Sequence, residues 1–262
     1  MMDTGTGGSP AGERSSEHIA GLAKGLRIIE IFGTEHGKLT IATAAKLAKL
    51  SRASARRCLL TLLDLGYVIQ VGSEFRPTPR LLRLGAGYYE SATLPQLAQS
   101  HLENARDTLH ESISLAVLDE KESLFIARAE AEKIVSTVAR IGRRLNAYCS
   151  ATGRVLLADL PDDEVDAYLA TVTPTALTSA TLIDKKQIKR MVDLVRERGF
   201  SIVDEELEEG MVAMAVPVVD SQGHTVAAMS VSASRARISP ERMEKEVLPV
   251  LLKHANALSR SL

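Results

Sequence analysis

The chain has no tryptophan and only two cysteines in 262 residues. Cys58 and Cys149 lie far apart, and no Cys or His cluster has metal-ligand spacing, so neither a disulfide framework nor a zinc site is implied. Aromatic residues make up 3%, so any core must be built from Leu, Ile, Val, Ala and Met. No apolar run approaches the roughly 20 residues of a membrane-crossing helix, and the opening MMDTGTGGSPAGERSSE lacks the apolar stretch of a secretory signal. These absences point to the cytosol, with no membrane partner, no cofactor and a disordered tail over residues 1–17. What is present is ordinary for a globular chain: 45% hydrophobic and 25% charged residues, with enough length for two domains.

The charge is unevenly spread. Residues 19–90 carry eleven basic side chains against five acidic ones, a surplus of six, while the whole chain is at −1. Positive charge is thus concentrated on one segment, as an approach to phosphates requires. Within it, LTIATAAKLAKLSRASARRCLLTLLDLGYV reads as two short helices meeting at a tight turn. The first spans 41–49 with Ala45, Leu47 and Ala48 on its apolar side, and Ser51 is a good N-cap for the second. Arg52, Ser54, Arg56 and Arg57 fall in the opening turns of that second helix, where a helix lying in the major groove meets base edges and phosphates. Leu59, Leu62, Leu63 and Leu65 give it an inward face. Residues 68–71 and 74–76 flank Gly72-Ser73 as a small hairpin, so the module is a winged helix-turn-helix. A solvated arginine face is the competing interpretation, and the charge surplus argues against it.

Residues 18–32 carry Ile19, Leu22, Leu26, Ile29 and Phe32 at helical spacing and form a further helix of this module, which covers 18–79. A linker helix is expected over 80–94, with Leu81, Leu84 and Tyr88 on one side and a break at Pro95. Beyond it, 96–111 returns to helical period. Strands are expected at 113–118, 124–129, 134–141, 200–204, 211–219 and 225–233, and helices at 150–160, 161–171, 184–198 and from Ser239-Pro240 onward. Strands and helices in separate runs suggest an α+β domain over 95–262, without βαβ repeats.

Five stretches occur in a telling order: GLAKGLRIIEIF, LSRASARRCLLTLLDLGYV, FRPTPRLLRLGAGYYES, RIGRRLNAYCSATGRVLLADL and ERGFSIVDEELEEGMVAMAVPVVDSQGHTVAAMSVSASRAR. In their order and spacing the chain resembles the IclR family of bacterial transcriptional regulators over nearly its full length. AYCSATGRVLLADL is most like the branch controlling protocatechuate and β-ketoadipate pathway genes. The resemblance implies an N-terminal winged helix-turn-helix, a linker helix that takes part in dimerisation, and a GAF-like effector domain with an antiparallel sheet. It also implies double-stranded DNA with a pseudo-palindromic operator, a small organic acid or aromatic effector, and a second copy of the chain as partners. For DNA contact the matching positions are Ser51, Arg52, Ser54, Arg56 and Arg57, with Ser73 and Arg76 from the wing. Adjacent Arg56 and Arg57 lie about 100° apart on a helix, so one is expected to reach bases and the other phosphate.

For the effector, the matching positions are Tyr148, Ser150, Ala151 and Thr152 from a loop entering a helix, Met211 and Ala213 from one strand, and Ser230 and Ser232 from the next. Two residues apart on a strand, the two serines share a side, and in an otherwise apolar strand this favours a pocket over the solvent-facing stripe that alternation also produces. Ser150 also suits an N-cap, and a helix N-terminus suits a carboxylate. Arg140, Arg143, Arg144 and Arg154 are candidate counter-charges, most of them expected on the surface. Where many family members have a polar or basic residue and a cysteine after the glycine at 210, this chain has Met211-Val212-Ala213, implying a more apolar pocket. Two alternatives use Cys149: a nucleophile served by His101, His110 or His224 near Asp204-Glu205-Glu206, or a redox switch. No Cys-His spacing signature supports the enzyme, a lone cysteine among apolar residues is usually inert packing, and Asp204 to Glu209 reads more simply as a solvated turn.

Overall fold

A computed structural model describes residues 18–32, 37–91, 93–131 and 140–262. The chain divides at Gly87/Tyr88 into two compact units. The predicted tail over 1–17 and most of the predicted strand over 134–141 lie outside the described residues.

The first unit contains α1 (Ala20–Phe32), α2 (Ile41–Leu47), α3 (Arg52–Asp64), β1 (Val68–Val71) and β2 (Glu74–Pro77). Thr40 and Ser51 cap the two helices of the helix-turn-helix: their side chains accept from the amides of Thr43 and Ser54, two donors a helix start would otherwise leave unpaired. Lys49, at φ 53°, makes the turn between them. β1 and β2 pair antiparallel, Val71 opposite Glu74, and Leu39 bridges to Phe75 at the base of the wing. The core joins Ile28 and Phe32 to Leu39, Ala44, Ala55, Leu59, Leu62, Val68 and Phe75.

The apolar pattern of α1 is only partly spent on this core. Ile28 and Phe32 are buried, whereas Ile19, Leu22 and Leu26, expected to pack inward, are 69%, 60% and 46% exposed. Leu47 and Leu65 are likewise exposed, and small Ala44 and Ala55 take the close helix contacts in their place. After a single 3-10 turn (Pro79–Leu81), α4 (Leu82–Ser91) follows, with Leu84 and Tyr88 exposed.

In the second unit, Pro95 does not break the chain as expected. It sits in the first turn of α5 (Thr93–Leu109), where the missing amide proton has no helical partner to lose. Then come β3 (Ile113–Asp119), β4 (Glu122–Ala129), β5 (Arg144–Asn146), α6 (Ala151–Ala158), α7 (Asp162–Thr171), α8 (Lys185–Arg198), β6 (Ser201–Asp204), β7 (Met211–Val219) and β8 (Thr225–Ser234). Gly199, at φ 75°, closes α8 in the left-handed C′ position. The last helix begins as a single turn, α9 (Pro240–Arg242), passes through a π stretch over Met243–Val247, and continues as α10 (Leu248–Ser259). The strands form one antiparallel sheet in the order β5-β4-β3-β8-β7-β6.

Alternation sorts the residues of this sheet. Met229, Val231 and Ala233 of β8, with Met214 and Val216 of β7, pack against Leu102 of α5 and Leu251 and Leu258 of α10. Ala228 and Ala215 point to the other face, against Ala151 and Val155 of α6 and Val195 of α8. Between the sheet and the start of α6 this second face carries serines, and there a cavity forms.

Candidate functional site

Two sites emerge, one in each unit. In the first, Ser51 caps α3 through a 3.2 Å bond from the Ser54 amide, and its hydroxyl donates to Ser54 Oγ at 3.1 Å. Arg52, Arg56 and Arg57 project from the first two turns, all exposed, and none of the three guanidinium groups has a partner among the described residues. Arg57, with Ser54, also borders a groove beside α1. Ser73 is exposed in the β1–β2 turn. Arg76 behaves differently, since Glu74 lies 3.2 Å from it and 2.6 Å from Lys38. Those bonds hold the Glu74 carboxyl below its ordinary pKa, Lys38 contributing most and Arg76 next. Arg76 of the wing and Lys38 are thus partly neutralised, whereas the three guanidinium groups at the start of α3 keep their charge free.

In the second unit a cavity of ≈ 50 Å³ is lined by Ser150, Ala151 and Thr152 at the start of α6, by Met211 and Ala213 of β7, and by Ser230 and Ser232 of β8. Seven of the eight residues singled out from sequence therefore meet around one space. Tyr148 is the exception. It is buried away from the cavity, its hydroxyl donating to Thr175 O at 3.2 Å and accepting from Thr175 N at 3.1 Å, which ties the approach to α6 to the 172–183 loop. Seven further residues complete the lining and had no signal in the sequence: Ser114, Phe125, Leu145, Val203 and Val231 from the strands and the β5 edge, and Leu207 and Glu208 from the loop before β7. Ser114 pairs with Ser230 across β3–β8, a partnership that only the fold reveals.

The start of α6 is rigidly built. Ser150 caps it by accepting from Gly153 N at 3.1 Å and donates to Asn146 O at 2.9 Å. A Cβ at position 153 would overlap the backbone of Ala147 and the Ser150 hydroxyl, so only glycine lets the helix sit this close to the preceding turn. Arg154, one of the four candidate counter-charges, is fully buried. Its Nε donates to Tyr148 O at 3.0 Å, and Nη1 and Nη2 grip the two Glu206 oxygens at 2.7 Å each. Glu206 in turn accepts from Leu182 N at 3.1 Å, and its carbonyl accepts from Thr181 Oγ1 at 2.6 Å. The expected solvated acidic turn is thus half internal: Glu206 is a fastener and Glu208 stays exposed at the cavity. Arg144 pairs with Asp119 and Glu122 on the surface.

Cys149 is fully buried, and burial foremost, with Glu206 second, pushes its thiol up to about 12, far from a reactive thiolate. Among the described residues no group of His, Cys, Asp and Glu has the makings of a metal site, and no helix is long and apolar enough to cross a membrane.

A winged helix-turn-helix with exposed arginines, followed by a helical linker and an antiparallel-sheet unit with a small, mostly apolar cavity that several hydroxyls border, defines a DNA-binding regulator. The profile for the bacterial transcriptional regulator IclR C-terminal family matches residues 86–260, and that for the IclR helix-turn-helix domain matches residues 21–72. The chain belongs to the IclR family of transcriptional regulators, which are not enzymes. It is 37% identical to the Pca regulon regulatory protein of Pseudomonas putida over 247 residues, 94% of this chain and 85% of that protein. It is 35% identical to the p-hydroxybenzoate hydroxylase transcriptional activator of Acinetobacter baylyi over 250 residues, 94% of this chain and 92% of that one. Among solved structures, a double mutant of the inducer binding domain of the PobR transcription factor from Acinetobacter, in complex with 3-hydroxybenzoic acid, superposes with a TM-score of 0.61 at 32% identity, covering 65% of this chain and 100% of that one.

Proposed function

We propose that this regulator senses a small aromatic or dicarboxylic catabolic intermediate, with protocatechuate and β-ketoadipate as the first candidates, and that the ligand modulates its hold on a pseudo-palindromic operator. The observation that carries this reading is the cavity at the start of α6, where serine hydroxyls and a helix N-terminus converge in otherwise apolar surroundings. The names of the relatives, which concern the Pca regulon and p-hydroxybenzoate hydroxylase, support the ligand class. Ordinary ligand pockets span about 300–1,000 Å³, so the occupant is compact and its entry displaces lining side chains such as Leu207 and Met211.

In this reading residues 18–79 hold the DNA, 80–94 form the link, and 95–262 bind the effector. Ser51, Arg52, Ser54, Arg56 and Arg57 face the major groove, with Ser73 and Arg76 at the backbone. The protein works as a homo-oligomer. Leu22, Leu26 and Leu84 border a groove of ≈ 690 Å³ whose apolar lining suits a second copy. Ligand then biases the placement of paired DNA heads, which requires unequal ligand affinity for DNA-competent and DNA-incompetent arrangements.

Thermal unfolding of the purified protein against protocatechuate, β-ketoadipate, 4-hydroxybenzoate and glyoxylate tests the ligand class. A ligand at 100 times its Kd adds about 2.7 kcal/mol. A selective rise with protocatechuate or β-ketoadipate supports the reading, and no response to any acid removes the ligand class while leaving the DNA-binding assignment intact.

A further inference from the structure

The base of the wing carries a second cluster of charge, and the local strand geometry builds it. Leu39 exchanges two backbone hydrogen bonds with Phe75, its amide donating at 2.9 Å and its carbonyl accepting at 2.7 Å, and both side chains enter the core of the first unit. Strand alternation then turns their neighbours outward, Lys38 and Thr40 on one segment and Glu74 and Arg76 on the other. Lys38 Nζ lies 2.6 Å from one Glu74 oxygen, and Arg76 Nη2 lies 3.2 Å from the other. One carboxylate is thus seated between two cations, each holding its own oxygen.

A phosphate is held in the same way, by an ammonium and a guanidinium on separate anionic oxygens. Thr40 and Thr43 border the same open groove as Lys38, Glu74 and Arg76, with their hydroxyls 3.0 Å apart. Thr43 also borders a second groove, shared with Lys46 and with Arg52 at the start of α3. The seat and the recognition helix therefore lie to either side of one threonine. The Lys38 and Arg76 side chains are 60% and 48% exposed, so an incoming anion reaches both. Ion pairs this exposed hold weakly in water, and the carboxylate is exchangeable. With Glu74 ionised the two cations present a net charge of one, and without it they present two.

Resting on the reading of this face as the one that meets the DNA backbone, we propose that Lys38, Arg76, Thr40 and Thr43 form a phosphate seat that Glu74 occupies in the free protein. Glu74 is a built-in competitor of the DNA backbone. A phosphate contact adds to the affinity for every sequence alike, so Glu74 weakens the sequence-independent hold and leaves base readout by α3 untouched.

Fluorescence anisotropy of the full chain against a labelled duplex of arbitrary sequence, over a range of salt, tests this. Glu74→Gln is expected to bind about tenfold more tightly near 50 mM salt, and the gain is expected to shrink about threefold by 200 mM, since one further neutralised phosphate steepens the salt dependence by about 0.9 in logarithmic slope. Glu30→Gln makes the same charge change at an exposed position of α1 and is expected to gain less. Adding Lys38→Gln and Arg76→Gln to Glu74→Gln is expected to abolish the gain. Equal gains from Glu30→Gln and Glu74→Gln, or a gain that survives the loss of both cations, overturn the seat. If Glu74→Gln does not fold, Lys38→Gln with Arg76→Gln decides alone: weaker binding with a flatter salt slope supports the seat, and unchanged binding overturns it. Arg56→Gln separates this inference from the reading beneath it. If Arg56→Gln weakens binding and the Lys38 and Arg76 substitutions do not, the seat falls and the α3 contact stands; if none of the three weakens it, both fall.

Discussion

Arginines in the two units do opposite work. On α3 the guanidinium groups of Arg52, Arg56 and Arg57 are exposed and unpartnered among the described residues. In the effector unit Arg154 is entirely buried and spends three of its nitrogens on Tyr148 and Glu206. A charge left in water is cheap to hold and remains available to an incoming polyanion. A charge taken into the interior must find its partners within the chain, and it then fastens whatever carries those partners. Here it joins the start of α6 to the acidic loop beside the cavity. The same residue type is thus a contact in one place and an internal fastener in the other.

Breaking this contrast at its strongest point means removing Arg154. Arg154→Ala leaves Glu206 buried without its countercharge, and chemical denaturation is expected to show a loss of about 3–5 kcal/mol. The double substitution Arg154→Met with Glu206→Leu, which removes both charges, is expected to cost less than either single truncation. If it costs more, hydrogen bonding through Tyr148 and Leu182 outweighs charge in this cluster.

Arg56→Ala is the mirror experiment. Stability should stay within about 0.5 kcal/mol, while operator binding weakens by about 1–3 kcal/mol at one base position if Arg56 reads a base. A uniform loss across operator variants, with a shallower salt dependence, would give Arg56 the phosphate role and pass the base to Arg57. Unchanged operator affinity for Arg52, Arg56 and Arg57 variants together would remove the recognition assignment.

Smaller again is Ser51→Ala, which deletes the α3 cap and is expected to cost about 1 kcal/mol, read from the melting transition. The smallest effect is electrostatic. Burial first, and then the Lys253 and His101 charges, hold His254 below the ordinary imidazole value. The unfolded chain therefore takes up a proton near pH 6.5 that the folded chain resists, so stability is complete above that value and declines below it. His254→Phe should flatten the fall in melting temperature between pH 7 and pH 5, and an unchanged slope would locate the acid sensitivity elsewhere.

Much of this architecture was legible in the residues. The capped helices, the wing around Gly72-Ser73 and the alternation of β7 and β8 follow from local rules of capping, turn chemistry and strand period, and they appear where those rules place them. What was not legible depended on partners distant in sequence. Tyr148 looked like a pocket residue until its hydroxyl was seen bound to Thr175, and Glu206 looked solvated until Arg154, 52 residues away, was found gripping it. Leu22 and Leu26 show a third kind of failure: helical spacing identifies an apolar stripe, yet not what covers it. Ser114 escaped notice because one serine in an apolar strand carries no pattern until pairing sets it opposite Ser230.

The contact between Gly153 and the backbone of Ala147 has a consequence for redesign. Because no side chain fits at that point, substitution at the start of α6 is constrained at position 153, and the cavity lining is more readily varied on the loop and strand facing it. Positions 207, 208, 211 and 213 form a short, nearly contiguous stretch. A biosensor library confined to them would vary the chemistry of the chamber while leaving its scaffold untouched.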